Sequence, residues 1–191
     1  EQLPNFSDIG LTNDYNTFKV DDAFVGEHKN VKFDIIESKL IRGYGKRSNT
    51  VFHGVFIMFD MNKNFNTHTI ITRDSRTHSS PLENLHHTEL EDIQFEKQYD
   101  VFTDNDVEAR YLITPSFMER LNNIELTFNG KISCAFYNEK LILAIRTKQD
   151  LFSICSLIKP TYDSKQFAIM FDEIFSLINL IDYFKLDQKI G

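Results

Sequence analysis

The sequence predicts an α+β fold, with a mostly antiparallel sheet, a broken helix pair and a long C-terminal helix. Three observations lead to this class. Short apolar segments bounded by turn residues recur through most of the chain, which is typical of strands. A Thr114-Pro115 step interrupts a helical pattern. Apolar residues then recur at helical spacing from Asp163 to Phe184.

The strand predictions begin after an extended lead-in, residues 1–30, and residues 31–191 are assigned to a single α+β domain. Residues 31–41 alternate between apolar and polar side chains, as a half-buried strand does. Residues 51–59 are nearly continuously apolar, which is typical of a strand buried on both faces. We expect this strand to form a hairpin with residues 68–72.

Three more short apolar segments complete the predicted sheet, at residues 93–102, 132–137 and 141–145. The Asn138-Glu139 step between the last two predicts a tight hairpin, although it is not the preferred Asn-Gly pair. Gly54, inside the buried strand, predicts a bulge or a close neighbouring backbone.

Capping residues mark the predicted helix pair. Asp104 or Asn105 is placed to cap the first helix, and Glu108 is available for a capping box from Asn105. Thr114 is placed to cap the second helix, because proline is favoured in a first turn. The C-terminal helix is predicted from one apolar stripe, made of Phe167, Phe171, Ile174, Ile178 and Ile181.

The chain of 191 residues is acidic, with a formal net charge of −7. This charge argues against strong non-specific binding to nucleic acid or anionic lipid. The main basic cluster, Arg42, Lys46 and Arg47, lies beside two glycines. We interpret it as a solvated turn between strands, with a phosphate or anionic-lipid contact as the alternative.

The sequence indicates no metal site and no cofactor. Cys134 and Cys155 have no metal-ligand spacing, and Cys134 lies in an apolar strand, where a small core residue is expected. The residues His78, Glu83, His86, His87 and Glu89 also lack standard ligand spacing. We interpret these histidines as surface residues, with a metal site as the alternative. No nucleophile-elbow, P-loop, dinucleotide or zincin motif is present.

No apolar run reaches the ~18 residues of a membrane span, and no signal peptide is visible. Glu1 stands where an initiator Met would be expected, which predicts that the chain is a fragment of a longer protein.

One stretch, EKQYDVFTDNDVEARYLITPSFMERL, resembles the signature of a bacterial family of unknown function. The residues that carry the resemblance are Phe102, Asp106, Glu108, Ala109, Arg110, Tyr111, Leu112, Thr114, Pro115, Phe117, Met118, Glu119, Arg120 and Leu121. Weaker matches lie at Asp22, Gly26, Phe33 and Ser38 and at Phe52, Gly54, Phe56, Asn62, Lys63 and Phe65. Glu37-Ser38 departs from the family's Ser-Glu order.

The resemblance implies a membrane-anchored bacterial protein whose large soluble region corresponds to this chain. Two lone cysteines without a disulfide framework favour a reducing compartment, so we expect that region at the cytoplasmic face of the inner membrane, with membrane contact only through a segment absent from this chain. The resemblance brings no activity with it, so it leaves the function open.

The charged residues of the predicted helix break are the candidate binding residues: Asp106, Glu108, Arg110, Glu119 and Arg120. The simplest interpretation is a network that fixes the angle between the helices, with Arg120 turned toward Glu108. The main functional hypothesis is a non-enzymatic module that binds another protein at the membrane and does not bind nucleic acid. The alternative is a small-ligand-binding domain or an enzyme that uses this Glu/Arg cluster.

Overall fold

The computed structural model describes residues 3–61, 65–73, 81–128, 130–147 and 178–184. In this part of the chain the main element is one eight-stranded antiparallel sheet, ordered β1-β2-β3-β8-β7-β4-β6-β5. The strands are β1 (Thr17–His28), β2 (Val31–Arg42), β3 (Asn49–Asp60), β4 (Thr69–Arg73), β5 (His86–Thr88), β6 (Tyr99–Thr103), β7 (Lys131–Tyr137) and β8 (Lys140–Arg146).

The α-helices of the described residues are few and short. They are α1 (Ile93–Glu96), α2 (Asp106–Leu112), α3 (Pro115–Phe128) and α4 (Leu180–Phe184). A 3-10 turn, Gly45–Arg47, lies in the connection from β2 to β3.

The predicted α+β class is wrong, because the sheet dominates the described chain and four short helices accompany it. Part of the sheet lies where no strand was predicted: β1 occupies residues 17–28 of the predicted lead-in. Its side chains are largely exposed, so it lacks the apolar alternation that reveals a half-buried strand. In the described residues the C-terminal helix is α4, only five residues long. Residues 163–177 of the predicted long helix lie outside the described residues.

The predicted broken helix pair also needs correction. Two helices do flank the Thr-Pro step, and Thr114 Oγ1 accepts a hydrogen bond from Phe117 N at 3.2 Å, as an N-cap does. The main packing partners of α3, however, are β7 and α4 rather than α2. The two helices therefore do not form a paired layer, and α3 packs on the sheet beside α4.

The predicted hairpin between β3 and β4 is wrong as well. The neighbours of β3 are β2 and β8, and those of β4 are β6 and β7. The partner of β3 thus comes from about 80 residues further along the chain, at 140–146. Both β3 and β8 are almost completely buried, so a fully apolar pairing wins over the local one.

Two cores lie on opposite faces of the sheet. On one face, α3 and α4 pack through residues that include Phe117, Leu121, Ile124, Ile181 and Phe184. On the other face, the N-terminal segment packs through Phe6, Ile9 and Leu11, and the Phe6 ring stacks on Phe56 with a centroid distance of 3.6 Å. Side chains of β3 alternate between the two cores, which confirms that this strand is buried on both faces.

Two sequence predictions about single residues are confirmed. Gly54 has a φ of +148°, and a Cβ there would lie 2.1 Å from the carbonyl oxygen of Ile145, so the neighbouring backbone is indeed close. Cys134 is fully buried, and burial raises the pKa of its thiol.

Two tight hairpins use residues with positive φ. Asn138 and Glu139 join β7 to β8 with φ of 49° and 60°, and Lys29 and Asn30 join β1 to β2 with φ of 50° and 62°. Both central residues of a type I′ turn need this conformation, which confirms the hairpin predicted at 138–139. Glu139 is poorly suited to it, because its Cβ crowds the backbone.

Replacing Glu139 with Gly is therefore expected to raise the free energy of unfolding by about 0.5–1 kcal/mol, since glycine adopts positive φ without steric cost. Urea denaturation of the wild type and the variant measures this gain. The matched control is Glu27→Gly, an exposed strand position without positive φ, where a loss is expected. A Glu139→Gly variant no more stable than the wild type would contradict the strain at this turn.

Candidate functional site

A cluster of hydrogen-bonded threonines lies where β4 begins and β6 ends, just before the candidate residues of α2. The Oγ1 atoms of Thr69 and Thr103 lie 2.7 Å apart, and that of Thr67 lies 2.9 Å from that of Thr69. Thr67 Oγ1 also donates to Asp104 Oδ1 at 2.9 Å, and His68 N donates to the same oxygen at 2.9 Å. These bonds fix the exit of β6, and with it the start of α2.

Asn105 is the residue that caps α2, and Asp104 is not. Asn105 Oδ1 accepts from Glu108 N at 3.3 Å, as an N-cap does. Glu108 does not complete a capping box, because its Oε2 accepts from Asn66 N at 3.0 Å. The Glu108 side chain therefore fastens the segment before β4 to α2.

Asp106 fastens the edge strand β5 to the first turn of α2. Its Oδ1 lies 3.1 Å from His86 Nε2. A hydrogen bond with Thr88, and then the interactions with His86 and Arg110, lower the pKa of the Asp106 carboxyl. Asp106 thus has a structural role that links β5 to α2.

Arg110 is the candidate residue that reaches an open surface. Its Nη2 donates to the carbonyl oxygen of Glu89 at 3.3 Å, and its side chain lines a groove of about 700 Å³. The groove runs between the segment 90–94 and the residues around the Thr-Pro step. Its lining consists of Leu90, Glu91, Asp92, Ile93, Gln94, Arg110, Ile113, Pro115 and Met118. We call this lining set the α1–α3 groove.

The α1–α3 groove joins an apolar floor to a charged rim. Ile113 and Met118 are buried, and Leu90 packs on the core beneath α3. Ile93 belongs to the rim and is 70% exposed. On α2, outside the groove lining, Val107 is 78% exposed and Tyr111 52%. An open groove with an apolar floor and a few polar groups at its rim is typical of a binding site.

One wall of the α1–α3 groove is held in place by local hydrogen bonds. Asp92 Oδ1 accepts from Gln94 N at 2.8 Å and from Phe95 N at 3.0 Å, so Asp92 is the N-cap of α1. Glu96 Oε1 accepts from Leu90 N at 2.7 Å. Glu91, an exposed acid between these fixed residues, is then presented at the rim.

The five candidate residues do not meet at one site. The guanidinium of Arg120 lies over the Tyr183 ring, 5.6 Å from its centroid, so the expected approach of Arg120 to Glu108 is wrong. Glu119 is exposed on α3 and is not part of the groove lining. Of the five, Arg110 alone lines the groove among the described residues.

Sequence reasoning missed the other wall of the groove. Leu90, Glu91 and Ile93 stand in the short run TELEDI, where acidic and apolar residues alternate. Residues 93–102 are predicted to form one strand, but α1 occupies Ile93–Glu96, so this prediction is wrong at its start. The Asp92 cap, two residues before Gln94, was the available signal for the helix.

The histidines of β5 pair with aspartates rather than with one another. His86 contacts Asp106, and His87 Nε2 lies 3.6 Å from Oδ1 of the buried Asp100. Within the described ranges, no group of three or more metal-ligating side chains is close enough to hold an ion. His68 is buried, and its Nε2 lies 2.9 Å from the Ile9 carbonyl oxygen, so it connects the N-terminal segment to β4.

Fold and groove together define the class of this protein: a sheet domain with an open surface groove beside its helices. Residues 50–186 match the family described as "Protein of unknown function (DUF3137)", and the chain belongs to that family. The resemblance seen in the sequence to a family of unknown function is confirmed to that extent.

Comparison with solved structures gives one weak likeness. It is to the crystal structure of the mycobacterial trehalose monomycolate transport factor A, TtfA, with 8% identity and a TM-score of 0.43. The match covers 86% of this chain and 73% of that one. No curated protein matches the sequence. In the part of the chain that the structure describes, every helix is too short or too polar to span a bilayer.

The tie between Asp106 and β5 predicts a pH-dependent contribution to stability. The lowered pKa of Asp106 means that its carboxylate stabilises the fold above the unfolded-state pKa of about 3.9. An Asp106→Asn variant is expected to have a lower urea midpoint than the wild type at pH 7. The difference should close as the pH falls through the lowered pKa, because the carboxyl is then protonated in both states.

Urea titrations of both proteins from pH 7 to pH 2.5 test this expectation. Asp14→Asn, at an exposed acid in the N-terminal segment, is the control and should show no such difference. A difference for Asp106→Asn that stays constant across the range would mean that its charge does not matter.

Proposed function

We propose that this domain is a protein-binding module whose α1–α3 groove takes a peptide segment of another protein. The segment would carry an apolar side chain next to a basic one. The observation that supports this proposal is the combination of an apolar floor with an acidic rim in one open groove. Following the resemblance, we place this binding at the cytoplasmic face of a bacterial inner membrane.

The size and floor of the groove support a peptide as the occupant. A volume of about 700 Å³ accommodates a few side chains, and the groove is open along its length rather than enclosed. Ile93, mostly exposed at the rim, would lose its water contact when an apolar side chain settles beside it. Burying such an anchor contributes about 1.5–3 kcal/mol, which is the scale of an interface hot spot.

The charges of the rim indicate what should flank that anchor. Glu91 and Asp92 are adjacent in one wall of the groove, and the whole chain is acidic. A basic side chain beside the anchor complements this wall and would be attracted to it before contact. Arg110, on α2, is placed to donate hydrogen bonds to a backbone carbonyl or a carboxylate of the same segment.

A second candidate function is a small-ligand-binding domain or an enzyme that uses the same groove. Arg110 favours it, since a guanidinium in a groove is suited to a carboxylate or phosphate ligand. Glu108 and Arg120 lend it no support, because both are occupied by structural contacts away from the groove.

A peptide selection tests the proposed function. Displayed 12-residue peptides are selected on the immobilised domain, and enriched sequences are measured by fluorescence polarisation. Enriched peptides should share an apolar residue next to Lys or Arg. Ile93→Asn should weaken their binding at least about fivefold and Glu91→Lys by a similar factor, because one removes the apolar contact and the other reverses the rim charge.

Two matched controls carry the same substitutions outside the groove lining. Val107→Asn alters an equally exposed apolar residue of α2, and Glu119→Lys reverses an exposed acid of α3. Both should bind within about twofold of the wild type. If no sequence is enriched, or if the groove variants bind like the controls, the groove does not bind peptides. Fragments that bind the wild type and lose contact with Arg110→Ala in ligand-observed NMR would then favour the second candidate.

A further inference from the structure

We propose that the sheet edge around the β2–β3 connection docks on an anionic lipid surface, with the Tyr44 ring entering the headgroup region. This surface is separate from the α1–α3 groove, and the inference does not depend on the proposed function. The family resemblance implies membrane contact through a separate anchoring segment. The fold adds a second contact, made by the domain itself.

Strand topology gathers basic residues that are far apart in the sequence. Arg42 ends β2, and Lys46 and Arg47 follow in the connection to β3. The next strand along, β8, ends at Arg146, whose Nη1 donates to the Val51 carbonyl oxygen at 2.6 Å and so points back toward that connection. The main chain of Arg146 pairs with Gly54, inside β3, so the side chain alone brings this charge toward the connection. We call these residues the basic edge: Arg42, Lys46, Arg47 and Arg146.

Tyr44 stands among the cations of the basic edge and is 81% exposed. Its loop is fixed by its own hydrogen bonds. Arg47 N donates to the Tyr44 carbonyl oxygen at 3.2 Å, and both Ser48 N and Ser48 Oγ donate to the Gly45 carbonyl oxygen, at 3.2 Å and 2.8 Å. All residues from Tyr44 to Thr50 are exposed. The loop therefore presents an aromatic ring to solvent without having to order itself first.

Within the described residues, the cations of the basic edge are not paired with acids. Residues 42–50 contain no Asp or Glu, and none of the four cations has an ion pair with a described acid. At the opposite end of the same strands the cations are paired: Lys140 with Asp60, and Lys29 with Asp182 at 2.6 Å. The net charge of −7 thus conceals a strong separation of charge.

An anionic bilayer fits this combination better than nucleic acid does. Tyrosine prefers the membrane–water interface, where its ring is in apolar surroundings and its hydroxyl remains hydrated. Each Lys or Arg near an anionic surface strengthens binding about fivefold. A nucleic acid would follow a longer basic groove, and the acidic remainder of this chain would repel it. A flat bilayer would contact only the basic edge, so the acidic remainder of the chain would stay away from the anionic surface.

The absence of tryptophan from the chain permits a direct test. Tyr44→Trp introduces a single tryptophan at the tip of the loop, and its emission reports insertion into a bilayer. The probe is a vesicle of phosphatidylglycerol and phosphatidylcholine in equal parts, at 50 mM salt. The emission should shift to the blue with these vesicles, remain unchanged with pure phosphatidylcholine vesicles, and return toward its free value at 500 mM salt.

Charge variants in the Tyr44→Trp background show whether the basic edge is responsible. Lys46→Glu with Arg47→Glu should weaken vesicle binding at least about 25-fold, as expected from about fivefold for each residue. The matched control, Lys32→Glu with Lys97→Glu, reverses two exposed lysines away from this loop, Lys32 being at the opposite end of β2, and should bind within about twofold of the parent. Circular dichroism establishes that each variant is folded.

A second tryptophan position distinguishes docking by this edge from general adhesion. Tyr111→Trp, at an exposed tyrosine of α2, should not shift with any vesicle. The proposal is overturned by an unshifted Tyr44→Trp, by equal shifts at both positions, or by equal binding of the two double charge variants. Binding of a single-stranded oligonucleotide as strong as that of the anionic vesicles would also overturn it, in favour of a general polyanion site.

Discussion

The pairing of β3 with β8, buried on both faces, is the constraint on which the rest of the structure depends. Their side chains alternate between two cores, so neither face of the sheet can be left to water. At Gly54 the backbone of β3 approaches β8 so closely that a Cβ would collide with the Ile145 carbonyl oxygen. A sheet with two apolar faces needs a cover on each side.

The two covers come from different parts of the chain, and they determine where the functional surfaces lie. The N-terminal segment covers one face through Phe6, while α3 and α4 cover the other. α3 crosses one face of the sheet and then connects to β7. For this reason the Thr-Pro step before α3 lies near the segment that precedes β6. The α1–α3 groove is the space left between these connections. Hydrogen bonds among Thr67, Thr69 and Thr103 fix the end of β6, from which the chain enters α2.

Local signals in the sequence predicted much of this fold. The strand at 51–59, the 138–139 turn, the Thr114 cap and the burial of Cys134 all follow from patterns within a few residues. Pairings between distant segments could not be predicted in that way. The partner of β3 is chosen by the match of two fully apolar strands, and β1 is a strand mainly because β2 offers it an unpaired edge. The predicted α+β class is wrong because these long-range pairings, which enlarge the sheet, could not be predicted.

The candidate site shows the same division between local and distant information. Residues 106–120 were selected because charges cluster there, but a charge cluster does not reveal which partner each side chain finds. Glu108 is held by Asn66, and Arg120 by Tyr183, both distant in sequence. Arg110 alone of the five turns toward the groove, and the wall that faces it, at 90–94, was assigned to a strand.

Strand direction also explains how an acidic chain carries a basic edge. In an antiparallel sheet, the end of one strand and the start of the next lie at the same edge, so the Arg146 side chain reaches toward residues 42–47 although about 100 residues separate them. Over the whole chain, these positive charges are outnumbered by the 28 acidic residues. At the sheet edge itself, they are not outnumbered. Net charge therefore limits what the whole surface attracts, while topology decides which edge meets an anionic partner.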